Sequence, residues 1–216
     1  MTPEQAKSAG EALFQAEATG TQIGLLSLAH PGMTLDDAYA VQGALVARKL
    51  AAGRHGIGWK IGLTSRAMQD ALKIETPDSG ILFDDMLFND GATVPAGRFI
   101  QPRVEAEIAF ILNAPLSGAG VTRDDVLAAT EAVAPSLEIL DTRILRADPA
   151  TGAIRKVTDT IADNAANAGI VLGTQRHHPS DMDLRWAGAI VKRNGVVEET
   201  GLGAGVLDDP VQGILW

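Results

Sequence analysis

Glu105 and Glu107 stand two apart in the run from Pro102 to Phe110, PRVEAEIAF. On a strand, residues i and i+2 share a face, so these two carboxylates project side by side while Val104, Ala106 and Ile108 take the other face. Like charges this close raise each other's proton affinity unless a cation lies between them, and hard oxygen donors of this kind suit Mg²⁺, Mn²⁺ or Ca²⁺. The alternative is a strand with one solvated face. A second strand-like run, Pro135 to Asp141 (PSLEILD), carries Glu138 among apolar neighbours, where a carboxylate needs a partner. Three carboxylates from two strands make a divalent-metal site with positions left for water and substrate.

Lys60 is the next group able to do chemistry. It lies in GWKIGLT, residues 58 to 64, an ammonium among apolar residues and glycines, where partial burial is expected to lower its pKa into a useful range. A lysine that snorkels from a strand edge fits the same residues. Asp78 sits in TPDSG, a turn composition, and reads by itself as a turn-capping aspartate. The segment Asp159 to Gly169 (DTIADNAANAG) gathers Asn164, Asn167 and small residues, as if amides and backbone approached a ligand; a capped helix start is its plainer reading. His177-His178 diverge on any regular element and precede Pro179, which points to a surface loop rather than a metal pair. The glycines of GLGAG at 201 to 205 follow a hairpin, not a parallel strand, so they do not form a dinucleotide fingerprint. Without a GxSxG elbow or any cysteine, triad hydrolysis has little support.

These side chains need elements to hold them. Thr2, Pro3 and Gln5 read as N-cap, first-turn proline and capping-box partner of a helix that Gly20 closes, with Leu13 and Phe14 facing the core. Thr34 with Asp37 opens a second helix, whose stripe of Leu35, Ala38, Val41, Leu45 and Val46 runs to about Ala52. From Gly56 onward short apolar runs alternate with Gly, Pro, Asn and Asp, so a helical cap over residues 1–55 and a mainly β domain over residues 56–216 are expected. Thr122 with Asp125 interrupts that domain with a helix to about Thr130, and Asn194-Gly195 marks a tight hairpin. A chain of 216 residues can bury one sizeable core. Its formal charge of −9 argues against nucleic acid or an anionic membrane as partner, and the lack of cysteine excludes a disulfide framework and thiolate chemistry. No apolar stretch approaches the length needed to span a bilayer, so a cytoplasmic location is the expectation.

The set AYAVQ at 38 to 42, KIGLTSRAMQ at 60 to 69, PDSG at 77 to 80, PRVEAEIAF, PSLEILDTR at 135 to 143, RKVTDTIADNAANAGIVLG at 155 to 173 and RNGVVEETGLGAGVL at 193 to 207 runs from end to end. On these motifs the chain resembles the 2-oxo-hept-4-ene-1,7-dioate hydratases of the fumarylacetoacetate hydrolase superfamily. The resemblance implies an α+β fold, a mixed β roll with N-terminal and peripheral helices, assembled as a homo-oligomer and using Mg²⁺ or Mn²⁺. It places metal ligands at Glu105, Glu107 and Glu138, a catalytic lysine at Lys60 and an acidic pocket residue at Asp78. Trp59 stands where relatives often carry a polar or basic residue, which alters the pocket's shape.

The reaction implied is addition of water to a 2-oxo-dicarboxylate, 2-oxo-hept-4-ene-1,7-dioate, giving 4-hydroxy-2-oxoheptanedioate in aromatic-compound catabolism, with Arg66, Arg103 and Arg143 as candidates for the distal carboxylate. A 2-oxo-3-enedioate decarboxylase is the nearest alternative; hydrolysis of an acylpyruvate and a noncatalytic partner subunit are the others. Asp208 or Asp209 with Pro210 reads as the start of a helix whose Val211, Ile214 and Leu215 face a core, and relatives continue past Trp216, so a longer polypeptide whose C-terminal segment completes the pocket is expected.

Overall fold

A computed structural model describes residues 1–216, with every side chain but that of Leu72. In chain order the elements are helices α1 (Pro3–Thr19), α2 (Leu26–Ala29) and α3 (Leu35–Ala51), strand β1 (Gly56–Gly62), α4 (Arg66–Leu72), β2 (Asp78–Phe83), β3 (Leu87–Asn89) and β4 (Arg103–Leu112). There follow α5 (Arg123–Ala129), β5 (Thr130–Leu140), α6 (Val157–Ala162), β6 (Asn167–Leu172), β7 (Gly188–Arg193), β8 (Val196–Leu202) and α7 (Pro210–Leu215). Strands β1 and β2 form one sheet, β3-β6-β5-β4 a second and β7-β8 a third, which makes the chain a mixed α+β protein.

The helix starts obey their local chemistry. Thr2, Thr34 and Thr122 each accept a hydrogen bond from the backbone N–H three residues on, and the side-chain oxygens of Gln5, Asp37 and Asp125 accept one from the backbone N–H of the cap. Gly20 closes α1 with φ +64°, and Asn194 and Gly195 turn the β7-β8 hairpin with φ +52° and +83°. Asp209 caps α7, with Pro210 in its first turn.

The chain divides into two compact units. The first comprises Met1–Lys60, Asp78–Glu105 and Glu138–Ile170; the second comprises Ile61–Pro77, Ala106–Leu137 and Val171–Trp216. In the first, the apolar cluster draws mainly on helices: Leu13, Ala38, Val41, Leu45, Ile144 and Ile161 are buried together. The helices α1 and α3 come together at Gly10, where a Cβ would lie 2.7 Å from that of Ala44. Phe14 is only half-buried and lies beneath the Arg48 guanidinium, 4.0 Å from its ring centre. In the second unit, α5 and α7 bury Val126 and Val211, and Arg123 on α5 pairs with Asp209 at 2.9 Å.

Several polar groups buried in the first unit are matched by charged or backbone partners. Arg143 is 3 % exposed; its Nε donates to Asp163 Oδ1 at 2.6 Å and its other guanidinium nitrogens donate to the carbonyls of Asp163 and Asn167. Asp159 accepts from the backbone N–H and hydroxyl of Ser27, and Asp141 accepts from the N–H groups of Ile100 and Gln101. A buried charge without such partners would cost several kcal/mol.

Candidate metal centre

Strand β4 presents Glu105 and Glu107 on one face, and β5, its neighbour in the four-stranded sheet, presents Glu138. One carboxylate oxygen from each of the three lies within 4.8 Å of the others. Glu105 and Glu107 are exposed and Glu138 is buried, so one anchored carboxylate stands beside two from the adjacent strand. Acidic groups collect on exposed strands without any ion, and the buried member distinguishes this set.

Lys60, on β1, brings its Nζ to 3.3 Å from Glu138 Oε1. That oxygen is buried, and the Lys60 ammonium is its nearest charged partner. Burial pushes the Glu138 carboxyl up; Lys60 pulls it back, Glu105 and Asp78 push it further, and the result is about 7. An oxygen-donor set of this kind fits a hard divalent cation, whose positive charge would favour the ionised form of Glu138.

The lysine differs from the sequence expectation in sign. Burial works against its ammonium, as expected, but Glu138, Asp78 and Glu105 together outweigh that effect and hold its pKa above the ordinary lysine value. Lys60 is therefore a cation held among anions, neither a neutral base nor a snorkelling surface group. Asp78 is also repositioned: it is the first residue of β2, only 2 % exposed, and lies within electrostatic reach of Lys60 and Glu138. The turn-like composition around it has another cause, because a Cβ on Gly80 would meet the backbone oxygen of Asn164 at 2.5 Å.

Of the three arginines considered for a distal carboxylate, Arg143 is withdrawn by its engagement with Asp163, while Arg66 and Arg103 are both exposed. Arg103 shares its face of β4 with Glu105 and Glu107 by strand alternation. His177 and His178 are exposed; the backbone of His177 bridges that of Val133. A cavity of about 480 Å³ lies in the second unit, lined by Arg123, Met182, Asp183, Arg185 and Asp209 among others. Its two arginines are already paired with Asp209 and Asp183, so the carboxylate–lysine cluster is the stronger chemical site.

Fold and site define an α+β protein with an acidic cluster that could hold a cation beside a largely buried lysine. Over 94 % of its length the chain is 52 % identical to the 2-oxo-hept-4-ene-1,7-dioate hydratase of Escherichia coli, covering 76 % of that protein. It is 41 % identical over its whole length to the 2-keto-4-pentenoate hydratase of Paraburkholderia xenovorans strain LB400, covering 78 % of it. Among solved structures, the 4-oxalocrotonate decarboxylase of Pseudomonas putida G7, complexed with magnesium and adipate, superposes on the whole chain and 80 % of its own, with a TM-score of 0.90 and 35 % identity. No family model matches. The chain belongs to the family of the 2-oxo-hept-4-ene-1,7-dioate and 2-keto-4-pentenoate hydratases, to which 4-oxalocrotonate decarboxylases are related.

Proposed function

We propose that the chain is a Mg²⁺-dependent hydro-lyase that adds water to 2-oxo-hept-4-ene-1,7-dioate and yields 4-hydroxy-2-oxoheptanedioate. The observation that carries this reading is the 52 % identity to the Escherichia coli hydratase, together with the buried Lys60–Glu138 pair beside Glu105. Glu105, Glu107 and Glu138 would hold the cation, and magnesium in the related decarboxylase structure supports its choice, with Mn²⁺ as the nearest substitute. Bound there, the cation supplies Lewis-acid stabilisation of negative charge developing on the 2-oxo group.

The chain's own residues account for the proton movements. Lys60, whose ammonium lies 3.3 Å from Glu138, is the group that holds or releases a proton beside the substrate, while Glu138 serves as its counter-charge and as a donor to the cation. A proton leaves C3 and one is delivered to C5, which brings the double bond into conjugation with the ketone. Water then adds its oxygen at C4 and a proton returns to C3, so the product gains the elements of one water. Asp78 acts on this pair through its charge, keeping Lys60 cationic.

The same reading includes a mixed β roll of the fumarylacetoacetate hydrolase type, with residues 1–55 as its helical cap and residues 56–216 as the catalytic domain. It further includes a cytoplasmic homo-oligomer whose partner is a small 2-oxo-dicarboxylate rather than a nucleic acid or a membrane. Exposed Trp59, Trp186, Ile190 and Val196 support self-association, and the net charge of −9 supports the exclusion of nucleic acid. Among the described residues no helix is long and apolar enough to cross a membrane.

The test is product analysis by NMR with 2-oxo-hept-4-enedioate and Mg²⁺ in deuterated water. Hydration keeps both carboxylates and introduces deuterium next to the ketone. Stoichiometric release of CO₂ at the rate of substrate loss would establish a decarboxylase instead.

A further inference from the structure

Strand β2 pairs with β1 along one edge, and its other edge meets side chains instead of a strand. Gln42 Nε2 donates to the Ser79 carbonyl at 2.8 Å, and the Ser79 N–H donates to the Tyr39 hydroxyl at 3.3 Å. At Ile81 the match is fuller. The Ile81 N–H donates to Asn164 Oδ1 at 2.8 Å, while Asn164 Nδ2 donates to the Ile81 carbonyl at 2.9 Å, as does Asn167 Nδ2. The Asn164 amide thus satisfies both backbone groups of one residue, as a neighbouring strand would.

Asn164 holds this place at a conformational cost. Asn164, Ala165 and Ala166 follow one another in the left-handed region, with φ of 52°, 52° and 56°. That region disfavours residues with a Cβ by about 1–2 kcal/mol each, asparagine least among them. The turn leads directly into β6, which lies next to β5 and its Glu138. Gly80 completes the fit, since any side chain there would strike the Asn164 carbonyl.

We propose that Asn164 is a positioning residue: by pairing with the Ile81 backbone it fastens the sheet that carries Lys60 and Asp78 to the sheet that carries Glu105 and Glu138, and so sets the separation of ammonium and carboxylates. The amide is spent on Ile81, so it is not a ligand for substrate. A displacement of about 1 Å at a reacting centre can cost on the order of 10² in rate, so the effect belongs in kcat. The kinetic part of this inference rests on the hydratase reading; the exchange part does not.

The experiment compares Asn164→Gly and Asn164→Asp with the unaltered protein at saturating Mg²⁺. Glycine removes the amide yet accepts the left-handed backbone without strain. Asn164→Gly is expected to lower kcat by about 10- to 100-fold, to leave KM and the calorimetric Mg²⁺ affinity within about threefold, and to speed hydrogen exchange across residues 78–83 but not across 130–140. Asn164→Asp is expected to recover kcat relative to the unaltered protein as pH falls, because a protonated carboxyl can both accept from and donate to Ile81, whereas a carboxylate only accepts. A folded Asn164→Gly enzyme with full kcat, or one whose calorimetric Mg²⁺ affinity falls in proportion to its loss of activity, overturns the proposal. If Asn164→Gly does not fold, an Asn164→Asp enzyme with no recovery in acid overturns it. If the unaltered protein hydrates nothing, the hydratase reading has failed, and unchanged exchange over residues 78–83 in the folded variant overturns the positioning role separately.

Discussion

Lys60 Nζ lies 3.3 Å from Glu138 Oε1, with 11 % and 8 % of the two side chains exposed. In so little water each group depends on the other for its charge, and altering either one shifts the protonation of its partner.

The carboxylates are the first consequence. Glu138→Ala, Glu105→Ala and Glu107→Ala are each expected to weaken Mg²⁺ binding and nearly abolish turnover, because each removes one of three anionic oxygen donors. Glu138→Ala should be the most severe, since it also leaves the Lys60 ammonium buried without its nearest partner. Isothermal titration with Mg²⁺ checks this; unchanged affinity in any two of the variants returns the cluster to an ordinary acidic strand.

Lys60→Met should behave in the opposite way towards the cation. The ammonium competes with a divalent ion for Glu138, so at alkaline pH, where that carboxyl is ionised in both proteins, its removal is expected to preserve or tighten Mg²⁺ binding while lowering kcat by about 10²- to 10⁴-fold, the range of one positioned proton-transfer group. Steady-state kinetics with calorimetry separates the two effects. A full-rate Lys60→Met enzyme excludes that role.

Much of this was legible in the residues. Three capping boxes announce three helices because a threonine oxygen and a side chain three positions on satisfy backbone groups locally, whatever the rest of the chain does. The alternation of Glu105 and Glu107 is equally local. The sign of the Lys60 shift was not, since burial is visible in composition but the approach of Glu138, Asp78 and Glu105 depends on strands far apart in sequence. Gly80 misled for the same reason: it answers the nearness of Asn164, not the needs of a turn. The early start of β5 at Thr130 was hidden by an alanine-rich lead-in, EAVAP, that carries no strand signal of its own.

Arg143 yields a prediction about stability rather than chemistry. Its guanidinium is buried against Asp163, so Arg143→Met strands a buried carboxylate and should destabilise the fold by about 3–5 kcal/mol. Denaturant unfolding measures the loss. A variant within about 0.5 kcal/mol of the unaltered protein would put Arg143 back among the candidates for substrate binding.

The pH dependence of metal binding is the sharpest test of the buried glutamate. Without metal, the Glu138 carboxyl titrates near 7 against 4.5 for an ordinary glutamate, so between these values the native state keeps a proton that the unfolded chain has released. Stability of the metal-free protein contributed by this group is therefore full below about 4.5, falls as pH rises towards about 7 and is level above it. A divalent ion must displace that proton, so its apparent affinity should rise about tenfold per pH unit below about 7 and flatten beyond. Lys60→Met removes a group that pulls the carboxyl down, and should move the flattening point to higher pH. Calorimetric titrations with Mg²⁺ from mildly acidic to mildly alkaline pH, with Glu138→Gln as the non-titrating control, read both effects; an affinity flat across that range in the unaltered protein would show that Glu138 is already ionised and that its proton has no part in the site.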